Sequence, residues 1–298
     1  MNILITGGTG FIGRKLCQSL ISKGHNLTVL SRKPEKVPAL CGNQVQALGD
    51  LNNLSEKNHF DSIINLAGEG IVDARWSKKR KQILIDSRIK VTEQLIAFIN
   101  KAQQKPSVLI SSSAVGYYGN QGSKILTENC MAINDNFAHQ LCTLWEESAI
   151  KAEDFGLRVC ILRTGLVIGN DGGFLAKMLP SFKLGLGGKI ANGQQWMSWI
   201  HRGDLIEIIT KMLDSPDMKG IYNSTAPNPV SNQDFTDCLA KKLHRPAIFS
   251  VPAFILKPML GEMAELLLGG QRVIPARLQE INFQFQFNTL DEALNDVL

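Results

Sequence analysis

The sequence predicts an α/β fold, a doubly wound parallel sheet with a smaller C-terminal lobe, and three observations carry that prediction. Over the first two-thirds of the chain, short apolar runs alternate with helical patterns, the signature of βαβ units. The first apolar run passes straight into a glycine-rich turn that opens an amphipathic segment. Beyond Arg163 the rhythm breaks into glycine turns and proline-punctuated stretches.

Taken in order, strands are predicted at Asn2–Thr6, Asn26–Leu30, Ser62–Leu66, Val108–Ser112 and Arg158–Leu162. Between the first two, Ile12, Leu16 and Leu20 recur at i, i+4 and i+8, with Gly24 as a left-handed terminator. One long helix is predicted over Lys78–Ala102 and another over Asn136–Glu153. Glycine turns at Gly169–Gly173 and Gly185–Gly188 precede helical stretches around Leu205–Leu213 and Gln233–Leu243. The stretch from Gly185 to Trp196 reads as a hairpin over a cleft, and Asp204 as the N-cap of the helix from Leu205.

Composition bounds the function. The chain has 298 residues, a formal charge of +5 and 44% apolar residues, enough to bury a core without disulfides. The charge is too mild for a nucleic-acid footprint. The six cysteines form no CxxC pair, so no metal site is expected, and they read as small buried hydrophobes of a reducing compartment. The longest apolar stretch, near Phe254–Leu268, is cut by Lys257, Pro258, Glu262 and Glu265, short of the roughly 18 residues a span needs. The expectation is a cytoplasmic protein with a small-molecule substrate and no membrane or nucleic-acid partner.

The strongest motif is Gly7-Gly8-Thr9-Gly10-Phe11-Ile12-Gly13. It follows a strand and opens a helix, the context in which glycines let the backbone approach a pyrophosphate at a helix N-terminus. Phe11 and Ile12 are expected to pack that helix on the sheet. The second strand ends in Ser31-Arg32-Lys33, where an NAD site places an acid. A hydroxyl and a guanidinium suit a 2′-phosphate, so NADP is the expected cofactor. The first domain is therefore a Rossmann-type NADP-binding unit over residues 1–167, with 199–225 returning to it. Residues 168–198 and 226–298 form a smaller substrate-binding lobe, including a short C-terminal domain from about residue 246.

The opening motif, Asn65-Leu66-Ala67-Gly68-Glu69 and the run Ser111-Ser112-Ser113-Ala114-Val115-Gly116-Tyr117-Tyr118-Gly119 resemble an extended short-chain dehydrogenase/reductase of the NAD-dependent epimerase/dehydratase superfamily. Asp86-Ser87-Arg88, Trp199–Leu205 and Gly270–Pro275 narrow the resemblance to its atypical "epimerase family" subgroup, nearly over the whole chain. The resemblance implies that Gly7, Thr9, Gly10, Phe11, Ile12 and Gly13 cradle the pyrophosphate and that Ser31 and Arg32 hold the 2′-phosphate. It implies that Leu66, Ala67 and Gly68 line the ribose path, with Ser111, Ser112 and Val167 at the nicotinamide and Arg88 replacing a cofactor-contacting Asn. Ser113 falls on the superfamily's catalytic Ser/Thr, and a homodimer through two helices is the superfamily's habit.

The chain departs from that family at its Tyr-x-x-x-Lys pair, in which a phenol moves the proton and a lysine lowers its pKa. The tyrosines are Tyr117, Tyr118 and Tyr222, and none has Lys four residues on. Counting from the serines puts Phe137 and Leu141 at the two positions. Ser113, Tyr117, Glu69 and His201 are the remaining candidates for proton transfer, Glu69 also for a ribose contact. Against each stands a plainer role: strand-end capping for Ser113, packing for Tyr117, a cofactor or substrate contact for Glu69, a structural role for His201. Two functions follow: an oxidoreductase or epimerase/isomerase acting on a small polar substrate such as a nucleotide-sugar, or a non-catalytic NADP-binding redox-sensing or regulatory module.

Overall fold

The computed structural model describes residues 1–133 and 136–298. Seven parallel strands make the central sheet: β1 (Asn2–Thr6), β2 (Asn26–Leu30), β3 (Gln46–Leu48), β4 (Ser62–Asn65), β5 (Val108–Ala114), β6 (Arg158–Thr164) and β7 (Gly220–Ser224). Their order is β7-β6-β5-β4-β1-β2-β3. The chain starts in the middle, runs outward through β2 and β3, then crosses back to β4. The reversal between β1 and β4 opens a crevice at the C-terminal ends of those strands, where ligands bind in sheets of this kind.

Strands buried on both faces read as unbroken apolar runs, as Ile3-Leu4-Ile5 does. Ile3, Ile5, Val29, Ile64 and Ile110 face one way, against Leu16 and Leu20 of α1 (Phe11–Ser22) and Ile208 and Met212 farther on. Leu4, Ile63, Leu109, Val159 and Ile161 face the other way, against Leu95 and Phe98. A third core gathers Ile168, Leu175, Trp199, Phe235, Leu239 and Leu294 beside the sheet.

Strands β1 and β2 match the expected bounds, while β5 and β6 each run two residues past theirs. The added pairs are Ser113 with Arg163 and Ala114 with Thr164. Ser113 and Arg163 are buried yet polar, so apolar patterning stops short of them. The edge strand β3 has two exposed residues of three and carries no apolar signal.

The predicted helix over 78–102 is two helices, α2 (Lys78–Asp86) and α3 (Ile89–Lys101). The break falls at Ser87-Arg88, whose side chains both donate to the Leu84 carbonyl and compete with the helix's own N–H groups. Helix α4 (Phe137–Ile150) starts at an Asn136 cap that accepts from the His139 N–H. Helices α5 (Gly173–Lys183), α6 (Arg202–Asp214), α7 (Asn232–Leu243), α8 (Ala253–Leu260) and α9 (Leu290–Val297) complete those of eight residues or more among the described residues.

Two local expectations are overturned. The segment after Gly185 is no hairpin: Gly188–Ile190 pairs in parallel with Phe249–Val251. A Cβ on Gly188 would lie 2.1 Å from the Phe249 carbonyl oxygen, so the glycine serves that close approach. Asp204 is not an N-cap. His201 caps α6, and Asp204 turns inward to accept from the N–H groups of Gln286 (2.8 Å) and Phe287 (3.1 Å). Asp204→Ala leaves both donors unpaired and is expected to cost about 2–3 kcal/mol in urea unfolding. A loss near zero would show that water replaces the carboxylate. All six cysteines are free. No helix among the described residues is long and apolar enough to cross a membrane.

Candidate active site

The glycine turn lies at the sheet's reversal point. Gly7 has φ +72°, and a Cβ there would sit 2.6 Å from the Leu66 carbonyl group, so β1 and β4 meet backbone to backbone. Gly13 lets α1 close on the turn; its Cβ would lie 2.3 Å from the Gly7 oxygen. Gly10 differs. A Cβ there would meet only the Gly7 oxygen, at 3.2 Å, so this position faces open space, with half-buried Thr9 beside it. Gly10 caps α1 without a side-chain bond, and the first turn has no acid. The N–H groups of the first turn therefore have no side-chain acceptor, which fits a pyrophosphate at the positive end of the helix dipole.

Ile12 packs into the sheet core as expected, but Phe11 does not. Its ring lies against Gly169, Gly172 and Gly173, where a Cβ would come within 2.7–2.8 Å, and Arg202 stacks on it at 4.5 Å. The glycine-rich turn after β6 is thus a seat for the Phe11 ring. A Cβ on Gly173 would also lie 3.1 Å from the Val167 carbonyl oxygen, and the Val167 side chain packs on the sheet core.

Ser31 and Arg32 end β2 at the same rim. Ser31 Oγ accepts from the Lys33 N–H, and Arg32 reaches across the crevice to Glu69, 2.6 Å away. Arg80 approaches the other Glu69 oxygen at 3.7 Å. The Glu69 carboxylate, a candidate for proton transfer or a ribose contact, thus lies between two guanidinium groups. Arg88 supports this loop from below. It donates to the carbonyls of Leu84 (3.1 Å) and Glu69 (3.0 Å) and stacks on Trp145, and burial pulls its pKa below the usual value. A Cβ on Gly68 would meet its guanidinium at 2.9 Å, so Arg88 sits directly beneath the Ala67-Gly68 path.

Polar residues continue inward as a ladder. Thr6 donates to Asn65 at 2.6 Å, and Asn65 donates to Thr92 (2.9 Å) and Ser111 (3.2 Å). Fully buried Ser111 is thereby committed to bracing β4 against β5, whereas Ser112 is half-buried. The next inward serine, Ser113, donates to Glu146 Oε1 at 2.6 Å. Arg163 grips the same carboxylate through Nε (2.9 Å) and Nη2 (2.8 Å). Burial opposes the Arg163 charge, but the Glu146 hydrogen bonds and charge outweigh it and hold its pKa above the usual value. Tyr117 lies flat on this group, its ring centroid 3.3 Å from Arg163 Cζ. Tyr117 therefore covers the cluster. Tyr118, buried and donating to Asn223, has its pKa pushed up to about 12 by burial.

Phe137 and Leu141 are not where the missing pair would act. Both are buried with Leu84, and Trp76 packs edge-on against Phe137 at 4.9 Å. The α4 face toward β5 is one residue on: Ala138, Cys142 and Glu146. Cys142 Sγ contacts the Ala114 oxygen, and a Cβ on Gly116 would lie 3.5 Å from the Ala138 Cβ. The absence of Tyr and Lys holds at this register too. Burial raises the Cys142 pKa to about 11, so it offers no thiolate. His201 is held by three contacts. Nδ1 accepts from the Gly203 N–H, Nε2 pairs with Asp296 at 3.2 Å, and the ring rests on Phe287. Sequence reading missed Glu146 and Arg163. The available signal was an arginine inside an apolar strand, which requires a buried anion from elsewhere in the fold.

The reversal point and its glycine cradle define a nucleotide-binding protein of the doubly wound α/β class. The chain belongs to the NAD dependent epimerase/dehydratase family, whose model matches residues 3–224. Residues 251–297 match a domain of unknown function, DUF1731. The Arabidopsis thaliana epimerase family protein SDR39U1 homolog, chloroplastic, is 39% identical, covering 100% of this chain and 87% of that protein. Epimerase family protein YfhF of Bacillus subtilis is 37% identical, covering 100% and 98%. Among solved structures, human epimerase family protein SDR39U1 with NADPH superposes with a TM-score of 0.91 at 34% identity, covering 100% of this chain and 99% of that one. UDP-glucuronic acid 4-epimerase from Bacillus cereus, at 18% identity and a TM-score of 0.81, shares the fold.

Proposed function

We propose that the protein binds NADP(H) and is an oxidoreductase or epimerase for a small polar substrate, with Ser113 in place of the tyrosine–lysine pair. The observation that carries this reading is the buried Ser113–Glu146–Arg163 cluster at the C-terminal end of β5, on the same edge of the parallel sheet as the glycine cradle. Gly7, Thr9, Gly10 and the first turn of α1 hold the pyrophosphate, and Ser31 and Arg32 the 2′-phosphate. Leu66, Ala67 and Gly68 line the ribose path above Arg88. Residues 168–198 and 226–298 supply the substrate lobe. The bound nicotinamide supplies hydride transfer.

The protein's part is the proton. Ser113 already donates to Glu146, so its free lone pairs accept. A substrate hydroxyl passes its proton to Ser113 Oγ as Ser113 passes its own to Glu146 Oε1, and reduction runs the relay backward. Arg163 holds the carboxylate in place. Ser113→Ala should leave NADPH affinity unchanged and lower turnover roughly 100-fold or more in a carbonyl and nucleotide-sugar screen. Unchanged turnover would remove Ser113 from the chemistry. The aliphatic Ala138–Cys142 face favours a second reading, a redox-sensing module, for which tight NADPH binding with silence across that screen is the expected result.

Cofactor choice has its own test. Arg32→Ala should weaken NADPH binding roughly 10- to 100-fold in calorimetry, the value of a charge-assisted phosphate contact, and leave NADH unchanged. Equal losses for both nucleotides would place the 2′-phosphate elsewhere.

A further inference from the structure

We propose that the face built from residues 183–190 and 245–259 is a docking surface for an anionic membrane, on which the protein lies without spanning it. Eight large apolar side chains are exposed there: Leu184 (74%), Leu186, Ile248 (81%), Phe249, Val251, Phe254 (76%), Ile255 and Met259. They form one continuous surface. Gly188–Ile190 pairs with Phe249–Val251, Arg245 Nε donates to the Lys183 carbonyl at 3.0 Å, and a Cβ on Gly185 would lie 3.7 Å from Pro246. Helix α8 follows directly and has no buried residue, although six of its eight residues are Ala, Phe, Ile, Leu or Met. A helix so largely apolar has little reason to face water, and a monomer rarely exposes more than a few hundred Å² of apolar surface in one patch.

Charge decides the occupant. The two segments carry Lys183, Lys189, Arg245 and Lys257 and no Asp or Glu. Among the described residues none of the four pairs with a carboxylate, whereas Lys81 and Lys177 nearby pair with Glu262 and Asp73. Protein–protein interfaces are depleted of lysine. Aromatic and aliphatic side chains among unpaired cations are instead what a bilayer with anionic headgroups binds at its interface. The stretch near Phe254–Leu268 is too short and too interrupted to span, and lying in the interface plane removes that length requirement.

Sedimentation of the full-length chain with lipid vesicles tests this. Binding is expected to phosphatidylcholine vesicles carrying roughly 30% phosphatidylglycerol, not to phosphatidylcholine alone, and to fall steeply as NaCl rises toward about 0.5 M. The double variants Phe254→Ser/Met259→Ser and Lys183→Glu/Lys257→Glu should each lower the partition coefficient roughly tenfold or more. Both should keep the parent's thermal unfolding and NADPH affinity, since every changed side chain is exposed. The proposal is overturned by absent binding, by equal binding to neutral vesicles, or by variants that bind like the parent. A dimer in ultracentrifugation that the apolar double variant dissociates would also overturn it, because a second copy would then cover the face.

Discussion

Replacing Glu146 with alanine is expected to cost the fold about 3–5 kcal/mol. The Glu146 and Arg163 side chains are 6% and 2% exposed, so the change strands a guanidinium that water cannot reach. The Ser113 hydroxyl loses its acceptor as well. Tyr117, stacked on Arg163, is left covering a charge without its counter-ion. The loss should appear as a lower urea midpoint with little change in slope. Glu146→Ala combined with Arg163→Met should recover much of it, because removing both charges ends the desolvation penalty that removing one exposes. A single-variant loss under about 1 kcal/mol would mean that water enters the cluster, and the carboxylate could not then be a fixed proton acceptor.

That cluster also marks where sequence reading stops. Ile3-Leu4-Ile5 and Leu27-Thr28-Val29 announce strands because each buries side chains against helices on its own account. The polar ends of β5 and β6 do not, since Ser113 and Arg163 are buried only through a glutamate on another element, 17 residues from Arg163. Such a pair has no local periodicity. The glycine cradle was legible because its physics is local: a strand, a turn and a helix N-terminus in one stretch. The α4 face toward β5 begins one residue beyond Phe137, a difference that a count along the sequence from the serines does not resolve. A one-residue shift rotates a helix face by about 100°, which separates Phe137 under Trp76 from Ala138 facing β5. His201 looked functional by residue type, but both ring nitrogens answer to backbone and Asp296. The break at Ser87-Arg88 stayed hidden because its cause, side chains competing for the Leu84 carbonyl, requires knowing that Arg88 turns back over its own helix.

Gly10→Val should weaken NADPH binding roughly 100-fold, about 2.7 kcal/mol, while leaving the fold nearly intact. The reason is the asymmetry among the motif's glycines. Gly10 has φ −79° and ψ 179°, a conformation open to any residue, and a Cβ there meets only one atom of the protein, at 3.2 Å. As the N-cap of α1, it would instead place added bulk in open space beside the helix N-terminus, where the pyrophosphate is proposed to sit. Gly13→Val is the opposite case. Its Cβ would lie 2.3 Å from the Gly7 oxygen and 2.6 Å from Gly8 Cα, so α1 must lift from β1, and thermal unfolding should fall by many degrees before any ligand is considered. The two variants therefore separate the cradle's tasks: one residue keeps the turn open to an anion, the other keeps helix and strand in contact. If Gly10→Val bound NADPH as the parent does, the anion site would lie elsewhere, and the proposed cofactor pose would fail with it. If Gly13→Val were as stable as the parent, the close approach of α1 to the turn would not be what the third glycine is for.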